Sequence, residues 1–597
     1  MQQRISRPVS ERNRFPRYFL PSLLLVVLFG RAGYADQVKL KIVAINDFHG
    51  HLQSSESFRA GPQSPDVPVG GIDVLAGYVE YLKAQNPYNV VVSAGDLIGA
   101  SPLVSGLYHD EGTIETMNRL GLEISAVGNH EFDKGRQELL RMQSGGCFTG
   151  DKNTCRGAEV GMAVPFGGAK FQYLAANVFD EASGKTIFPA YMIKTYNGVP
   201  VAFIGVTLEG TPVTVRPGGI AGLRFAGEAS TINALVRQLR AQGIQSVVVL
   251  IHQGGWQEVT KGTVDINSCE GELQGTPIEA IVNQLDDAVE LVISGHTHQA
   301  YVCQIANSAG RKVPVTSAAS FGRLLTDIDV TVDTTTKKVT SVTAQNIVVD
   351  RSNTKITADA GIKGLMDRYA ALAAPIASRV VGSITADITR TTSAGRESPL
   401  GHLIADAQLE ATRDSGAVVA FTNSGGIRGD LAYSSGAADA GERKVTYGEL
   451  FTIQPFQQNL VTITLTGTQL QTLLEEQFKG CALDFPPGVI PPRSDQILQV
   501  SEGFTYAWNP AGATCNKVDA GSIKVNGLIV GPTRKYRVTV SSYLAEGGDR
   551  LYEFTHGMER VDGAQDVDAL AAYFAKHHSV SPSRLDRIKI SPQPNPD

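Results

Sequence analysis

The chain has 597 residues, of which 42% are hydrophobic and 19% are charged, and its formal net charge is -6. This length is too great for one hydrophobic core and predicts at least two domains, while the ordinary composition excludes a chain that is disordered throughout. The acidic balance, without a basic stripe, excludes a protein that binds nucleic acid duplexes.

The first 35 residues differ from the rest of the chain. Several arginines precede an apolar run from Phe19 to Phe29, which is short for a membrane span, and Gly33-Tyr34-Ala35 supplies the small residues that a signal peptidase requires. We expect residues 1–35 to be a signal peptide cleaved after Ala35, so that the mature protein is periplasmic or extracellular. An uncleaved anchor in this segment is the alternative. No later stretch is apolar enough to span a membrane, so we expect no stable membrane anchor, and we expect a monomer.

From residue 36 to 352, apolar strands alternate with amphipathic helices. Residues 75–82 and 232–239 carry apolar side chains at helical spacing, and residues 312–350 are typical of β-hairpins. Continuous apolar strands flanked by helices indicate an α/β domain whose sheet is covered on both faces. The predicted strands each run into an Asp, Asn or His, and they cover residues 38–47, 89–96, 124–131, 246–253 and 289–298.

The remaining chain divides into a connecting segment and a second domain. Residues 353–380 are Ala-rich and predict a helical linker, and residues 381–597 predict an α+β domain. Two helices are expected in it, at residues 399–412 and 468–478, where apolar residues recur at helical spacing.

The six cysteines form no C-x-x-C pair, which argues against a zinc ribbon. An even number in an exported chain favours disulfides. The simplest pairing joins neighbours in sequence, and free buried thiols are the alternative. The expected pairs are Cys147–Cys155, Cys269–Cys303 and Cys481–Cys515.

Polar residues at the predicted strand ends form a candidate metal centre. A single His on an apolar background is usually a structural residue, but here five clusters follow five strands, and burying them together without a cation would be costly. Because side chains alternate along a strand, we expect Asp47 and His49 to point the same way, and likewise His296 and His298. Imidazole and carboxylate ligands suit Zn, Mn, Co or Fe, and their number suits two ions. The candidate ligands are Asp47, His49, Asp96, Asn129, His252, His296 and His298.

These motifs resemble the signature of calcineurin-type metallophosphoesterases. D-x-H at Asp47, G-D at Asp96, G-N-H-E-F-D at residues 128–133, a lone His252 and G-H-T-H at residues 295–298 follow the order of that family. The resemblance implies a four-layer α/β/β/α domain. It also implies that Asp47, His49 and His298 hold one ion, that Asn129, His252 and His296 hold the other, and that Asp96 bridges both.

His130 and Asp133 are the expected catalytic pair. In the family this His lies beside the scissile phosphate and the Asp orients it, and a carboxylate partner would fix the tautomer of the imidazole and favour its cation. A helix-capping Asp near an ordinary His is the alternative.

The second domain suggests the substrate. N-S-G-G-I-R at residues 423–428, an Arg before a predicted helix and two aromatic residues in loops are each weak signals, but together they resemble the C-terminal domain of the 5′-nucleotidase and UDP-sugar hydrolase family. The resemblance implies that Phe456 and Tyr543 stack on the base and that Asp549 binds the ribose hydroxyls. The remaining substrate-binding residues that it implies are Arg396, Asn423, Gly426 and Arg428. His402 stands where relatives have another residue, and the sequence assigns no role to it.

We therefore expect an exported dimetal phosphohydrolase that releases phosphate from nucleoside 5′-phosphates by attack of a metal-bound hydroxide. UDP-sugar or nucleoside diphosphate hydrolysis stays open as an additional activity. The alternatives are a 2′,3′-cyclic nucleotide 2′-phosphodiesterase with 3′-nucleotidase activity on the same scaffold, a thiosulfate-ester hydrolase, and a non-catalytic nucleotide-binding surface protein.

Overall fold

The computed structural model describes residues 37–591 except for residue 55 and the segments 259–264, 436–437, 440–441, 482 and 484–494. The predicted signal peptide, residues 1–35, lies outside the described residues. Among the helices that are described, none has the length and apolar character needed to cross a membrane.

The first domain contains two six-stranded mixed sheets. The strands of the first sheet, in spatial order, are Val339–Val348, Leu324–Asp333, Gln37–Ile45, Asn89–Ser93, Ile124–Ala126 and Gln172–Leu174. Those of the second are Ala300–Ala306, Lys312–Ala318, Val289–Ser294, Ser246–Ile251, Val199–Val206 and Tyr191–Tyr196. In both sheets the central strands pair in parallel. The second sheet has an antiparallel strand at each edge, whereas the first has antiparallel strands only at the edge formed by Leu324–Asp333 and Val339–Val348.

The two sheets pack face to face, and helices cover their outer faces. One apolar cluster, which includes Leu40, Val92 and Leu250, lies between the sheets. A second packs the first sheet against its helices, and a third does the same for the second sheet. The helices of this domain are Ile72–Lys83, Leu103–Gly106, Glu111–Leu120, Arg136–Ser144, Glu228–Ala241 and Pro277–Val282. The four-layer architecture implied by the sequence is confirmed.

The strands end earlier than predicted. The first ends at Ile45 rather than at residue 47, and the strand predicted for residues 124–131 covers only Ile124–Ala126. The candidate ligands therefore lie in the loops that follow the strands, and the expectation that strand alternation aligns Asp47 with His49 is wrong. Both residues, and likewise His296 and His298, have a positive φ.

The cysteines pair as predicted: disulfides join Cys147 to Cys155, Cys269 to Cys303 and Cys481 to Cys515. The first two close loops in the first domain and the third closes a loop in the second.

The predicted linker contains a helix, Ala360–Ala377. The Asp359 side chain caps it by accepting a hydrogen bond from the backbone N–H of Ile362 at 2.7 Å. Ile362 and Met366 pack in the core of the first domain, whereas Tyr369 belongs to a cluster with residues of both domains. The connection is thus a docked helix that is shared by the two cores. The domain boundaries at residues 352 and 380 stay predictions.

The second domain is a mixture of short sheets and helices. Its five-stranded sheet has the order Gln499–Val500, Val419–Thr422, Lys535–Ser541, Asn459–Thr466 and Met558–Gln565. A four-stranded sheet consists of Ala438–Asp439, Glu442–Thr446, Val380–Ile384 and Ser579–Val580, and a third is formed by Asn516–Val518, Phe504–Ala513, Lys524–Val525, Leu528–Ile529 and Ile588–Ile590. The helices are Pro399–Ala411, Tyr447–Ile453, Gly467–Glu476, Ser542–Ala545 and Asp566–His577. The first and third of these match the helices predicted at residues 399–412 and 468–478.

Candidate metal centre and substrate cleft

The loops after five strands bring the candidate ligands together at one edge of the paired sheets. Tight turns make this convergence possible, because Asp47, His49 and Asp96 all adopt left-handed backbone conformations. Gly95 has a φ of 95°, and a Cβ on it would lie 2.7 Å from the backbone nitrogen of Gly128 and 2.8 Å from Nδ1 of His252. A side chain at this position would therefore push the loops apart.

The first group of ligand atoms comes from Asp47, His49 and His298, whose oxygen and nitrogen atoms lie within 4.8 Å of one another. His49 Nε2 is 3.1 Å from His298 Nε2, and His298 Nε2 is 3.6 Å from Asp47 Oδ1. Asp47 and His49 are fully buried. These are the residues that the resemblance assigned to one ion.

The second group comes from Asp96, His252 and His296, with the same mutual spacing. His252 Nε2 lies 2.9 Å from Asp96 Oδ2 and 3.1 Å from Asn129 Oδ1. His49 Nε2 lies 3.6 Å from the same Asp96 oxygen. Asp96 Oδ2 is therefore located between the two groups, as a bridging ligand would be.

Hydrogen bonds orient the imidazole rings toward this centre. His49 Nδ1 lies 2.8 Å from the carbonyl oxygen of Gly99, and His252 Nδ1 lies 2.8 Å from that of Ala94. Because a carbonyl only accepts, each Nδ1 carries a proton and each Nε2 is free to bind a cation. Asp96 Oδ2 is buried and, among the described residues, has no hydrogen-bond partner. A pair of divalent cations fits this set of donor atoms.

Burial dominates the electrostatics of the centre. It lowers the pKa of His296 to about 3 and raises the pKa of Asp47 to about 7. Against the effect of burial, the Asp96 carboxylate raises the pKa of His252 to about 9. A neutral imidazole at His296, close to an Asp47 carboxyl group that resists ionisation, forms an environment that a bound cation would stabilise.

His130 and Asp133 form the predicted pair. His130 Nδ1 lies 3.0 and 2.9 Å from the two carboxylate oxygens of Asp133, across a short 3-10 helix that starts at His130. Against the effect of burial, Asp133 raises the pKa of His130. His130 also lies within 4.8 Å of ligand atoms of His49 and Asp96, so its ring borders the centre.

Two further residues hold the ligand loops in place, and the motifs did not single them out. Glu131 is buried and accepts hydrogen bonds from the backbone N–H groups of Asp96, Leu97 and Gly128 at 2.9, 2.8 and 2.6 Å. Asn46 donates to Asp47 Oδ2 at 2.7 Å. Glu131 is part of the quoted G-N-H-E-F-D motif, so its position was a usable signal, whereas Asn46 gave none.

A cleft of about 200 Å³ extends from this centre into the second domain. It is lined by Asn129, His130, Asp133 and His296 of the first domain. From the second domain, it is lined by six of the seven predicted substrate-binding residues, namely Asn423, Gly426, Arg428, Phe456, Tyr543 and Asp549.

The aromatic and acidic residues of the cleft contact one another. The ring of Phe456 stacks on that of His130 at a centroid distance of 5.7 Å, and the Arg428 guanidinium lies 5.9 Å from the Phe456 ring. The Tyr543 hydroxyl lies 2.7 Å from Asp549 Oδ1 and 2.9 Å from the carbonyl oxygen of Val213. The second contact connects the two domains.

Two residues of the second domain lie elsewhere. Arg396 is outside the cleft, where it forms an ion pair with Asp495 at 3.0 Å. The structure thus does not bring Arg396 together with the other predicted substrate-binding residues. His402 is fully buried between Glu397 Oε2 at 2.9 Å and Ser583 Oγ at 3.0 Å. Glu397 also accepts hydrogen bonds from the backbone N–H groups of Arg587 and Ile588. Through Glu397, His402 therefore connects the helix Pro399–Ala411 to the strand Ile588–Ile590.

Two family models match the chain. Residues 40–300 match the calcineurin-like phosphoesterase family, and residues 380–556 match the 5′-nucleotidase C-terminal domain. The chain belongs to the 5′-nucleotidase family. The two matched domains are those of metal-dependent phosphoesterases, which is the class that the sequence predicted.

Individual relatives have different names. The chain is 30% identical to Endonuclease YhcR of Bacillus subtilis over 93% of its own length but spans only 41% of that protein. It is 29% identical to the cell wall protein Lmo0130 of Listeria monocytogenes, of which it spans 65%. The structure of a 5′-nucleotidase precursor from Thermus thermophilus has the same fold, with a TM-score of 0.72, 23% identity, and coverage of 93% of this chain and 100% of that one.

Proposed function

We propose that this protein is an exported phosphohydrolase that releases phosphate from nucleoside 5′-phosphates. One observation carries the proposal: a single cleft joins His130 and two candidate metal ligands, Asn129 and His296, to aromatic and polar residues of the second domain. A substrate with a phosphate at one end and a flat base at the other matches this arrangement.

The residues that would hold the metals are Asp47, His49, Asp96, Asn129, His252, His296 and His298. When bound, two divalent cations supply Lewis acidity toward a phosphoryl oxygen and lower the pKa of a water molecule. Zn, Mn, Co and Fe all suit these ligands.

His130 and Asp133 act on the phosphoryl group in this proposal. The Asp133 carboxylate holds the proton on Nδ1 of His130, which directs Nε2 toward the cleft. A protonated imidazole there can donate a hydrogen bond to an oxygen on which negative charge develops. Asn129, adjacent in sequence, offers its carboxamide to the same centre.

The second domain positions the nucleoside. Phe456 and Tyr543 supply aromatic surfaces for the base, and Asp549 supplies carboxylate oxygens for the ribose hydroxyls. Burial raises the pKa of Asp549, and Asn423 donates to its Oδ2 at 2.6 Å. Arg428 lies near His130 and Phe456, where its guanidinium can donate hydrogen bonds to the phosphate oxygens.

A rate panel tests this assignment. Purified protein, stripped with a chelator and reloaded with Mn²⁺, Co²⁺ or Zn²⁺, is assayed on AMP, ADP, UDP-glucose, 3′-AMP and 2′,3′-cyclic AMP. We expect AMP to give the highest kcat/KM. A higher value for 2′,3′-cyclic AMP and 3′-AMP would refute the 5′-nucleotidase assignment in favour of the cyclic phosphodiesterase alternative.

Export is part of the proposal. The three disulfides suit an oxidising compartment, and one relative is a cell wall protein. The intact mass of protein recovered outside the cytoplasm should correspond to a chain that begins at Asp36, whereas a mass that includes residues 1–35 would contradict cleavage.

A further inference from the structure

Two glutamine side chains in the cleft have no role in the function proposed above. Gln408 lies on the helix Pro399–Ala411, and Gln454 ends the helix Tyr447–Ile453, two residues before Phe456. Both line the same cleft as Phe456 and Tyr543. Their relative exposures are only 1% and 3%, so each carboxamide is withdrawn from bulk solvent.

The carboxamide oxygens of both residues are unsatisfied. Among the described residues, neither Oε1 of Gln408 nor Oε1 of Gln454 has a hydrogen-bond partner. Gln458, which lines the same cleft, differs because its Oε1 accepts a hydrogen bond from Ser542 at 2.6 Å. Burial of a polar atom without a partner is costly, so two such atoms in one cleft indicate a ligand that supplies the missing hydrogen bonds.

A third polar group lies in the same region. Asp566 begins the helix Asp566–His577, which packs against the helix of Gln408. The side chain of Asp566 lines the cleft and is buried, and it accepts the backbone N–H of Val567 at 2.8 Å. Gln408, Gln454 and Asp566, which can all donate or accept hydrogen bonds, therefore line the same cleft as the aromatic residues Phe456 and Tyr543.

We propose that Gln408 and Gln454 bind the polar edge of the nucleobase, so that the enzyme recognises the base by hydrogen bonds as well as by stacking. This inference rests on the proposed function. A carboxamide presents a donor next to an acceptor, and adenine matches it with its exocyclic amino group next to a ring nitrogen. Asp566 supplies a further acceptor for such an amino group. The class of ligand is a 5′-nucleotide whose base carries a hydrogen-bonding edge.

The test compares a substrate that has a base with one that has none. Gln408→Met and Gln454→Met remove the carboxamides and keep the length of the side chains. We expect each variant to lower kcat/KM for AMP about fivefold to tenfold, the effect of one lost hydrogen bond to a buried partner, and to leave ribose 5-phosphate within about twofold of the wild type. Because the carboxamide oxygens stabilise nothing in the free protein, the thermal unfolding midpoint should not fall.

Gln477→Met is the matched control. Gln477 is equally buried but fully bonded, since it donates to the Tyr506 hydroxyl at 3.1 Å and accepts the N–H of Leu498 at 3.0 Å. Its replacement should lower the unfolding midpoint without changing the ratio of AMP to ribose 5-phosphate activity.

Two results would overturn the inference. One is an equal change in both activities in the Gln408 and Gln454 variants, and the other is an unchanged rate on AMP. Both leave the proposed function intact, because the wild type would still hydrolyse AMP. A wild type that prefers ribose 5-phosphate to AMP would instead contradict the proposed function itself.

Discussion

Replacing Glu131 by glutamine should weaken the loops that carry the metal ligands. Its Oε2 accepts the N–H groups of Asp96 and Gly128, and its Oε1 accepts that of Leu97. A carboxamide can accept only through its oxygen, so one of these groups would face an NH₂ donor. Loss of one hydrogen bond and exposure of a buried donor to another donor cost about 2 kcal/mol.

For a domain of this size, that loss lowers the thermal unfolding midpoint by roughly 3–6 °C. Differential scanning calorimetry in the presence of a chelator measures the effect without a contribution from bound metal. Glu80→Gln is the control, because the Glu80 side chain is 76% exposed and its substitution should change the midpoint by less than about 1 °C. A Glu131→Gln protein as stable as the wild type would refute the view that this carboxylate holds the loops together.

The same substitution should also affect the centre itself. Residues that orient metal ligands commonly change metal affinity or activity about 10-fold to 100-fold. We therefore expect Glu131→Gln to need a higher metal concentration for half-maximal activity, measured by titration of Mn²⁺ into the stripped protein.

Three further substitutions separate the roles of other residues. His130→Ala should lower kcat at least about 100-fold while the bound metal, measured by mass spectrometry, is retained, and equal loss of both would make His130 a ligand. Phe456→Ala should lower kcat/KM for AMP about tenfold to hundredfold and spare p-nitrophenyl phosphate, since base stacking contributes about 1–3 kcal/mol; an equal loss on both substrates would argue against a base clamp. Burial raises the pKa of Asp566 from 3.8 in the unfolded chain to about 7 in the folded protein, so folding favours the protonated carboxyl group. The stability gained from this protonation is complete below the unfolded pKa and is lost as the pH rises through the folded pKa. Asp566→Asn should therefore gain stability relative to the wild type between pH 5 and pH 8, and a difference in midpoint that does not depend on pH would contradict this.

The sequence was sufficient to predict the layered first domain and the set of residues that converge at the candidate metal centre. Asp47, His49, Asp96, Asn129, His252, His296 and His298 follow the carboxyl ends of strands, and those ends meet at one edge of the sheets because the central strands are parallel. The predicted reason for the convergence of Asp47 and His49 was nevertheless wrong. The strands end early, and turns with positive φ, rather than strand alternation, aim Asp47 and His49 at the same point.

The second domain was harder to predict because its site depends on contacts between distant segments. Arg396 lies before a helix, as expected, but Asp495, about a hundred positions later, pairs with it outside the cleft. Gln408 lies on one helix and Gln454 follows the last residue of another, and a glutamine at either position forms no distinctive sequence pattern. Only the packing of those helices shows that the two carboxamides are buried in the cleft.

The dependence of catalysis on metal tests the central claim most directly. Stripped protein is titrated with Mn²⁺, and the rate of AMP hydrolysis is plotted against the number of ions bound per chain. We predict no turnover without metal and full activity at two ions per chain. Hydrolysis of AMP at the full rate by folded protein that holds no divalent ion would contradict the claim.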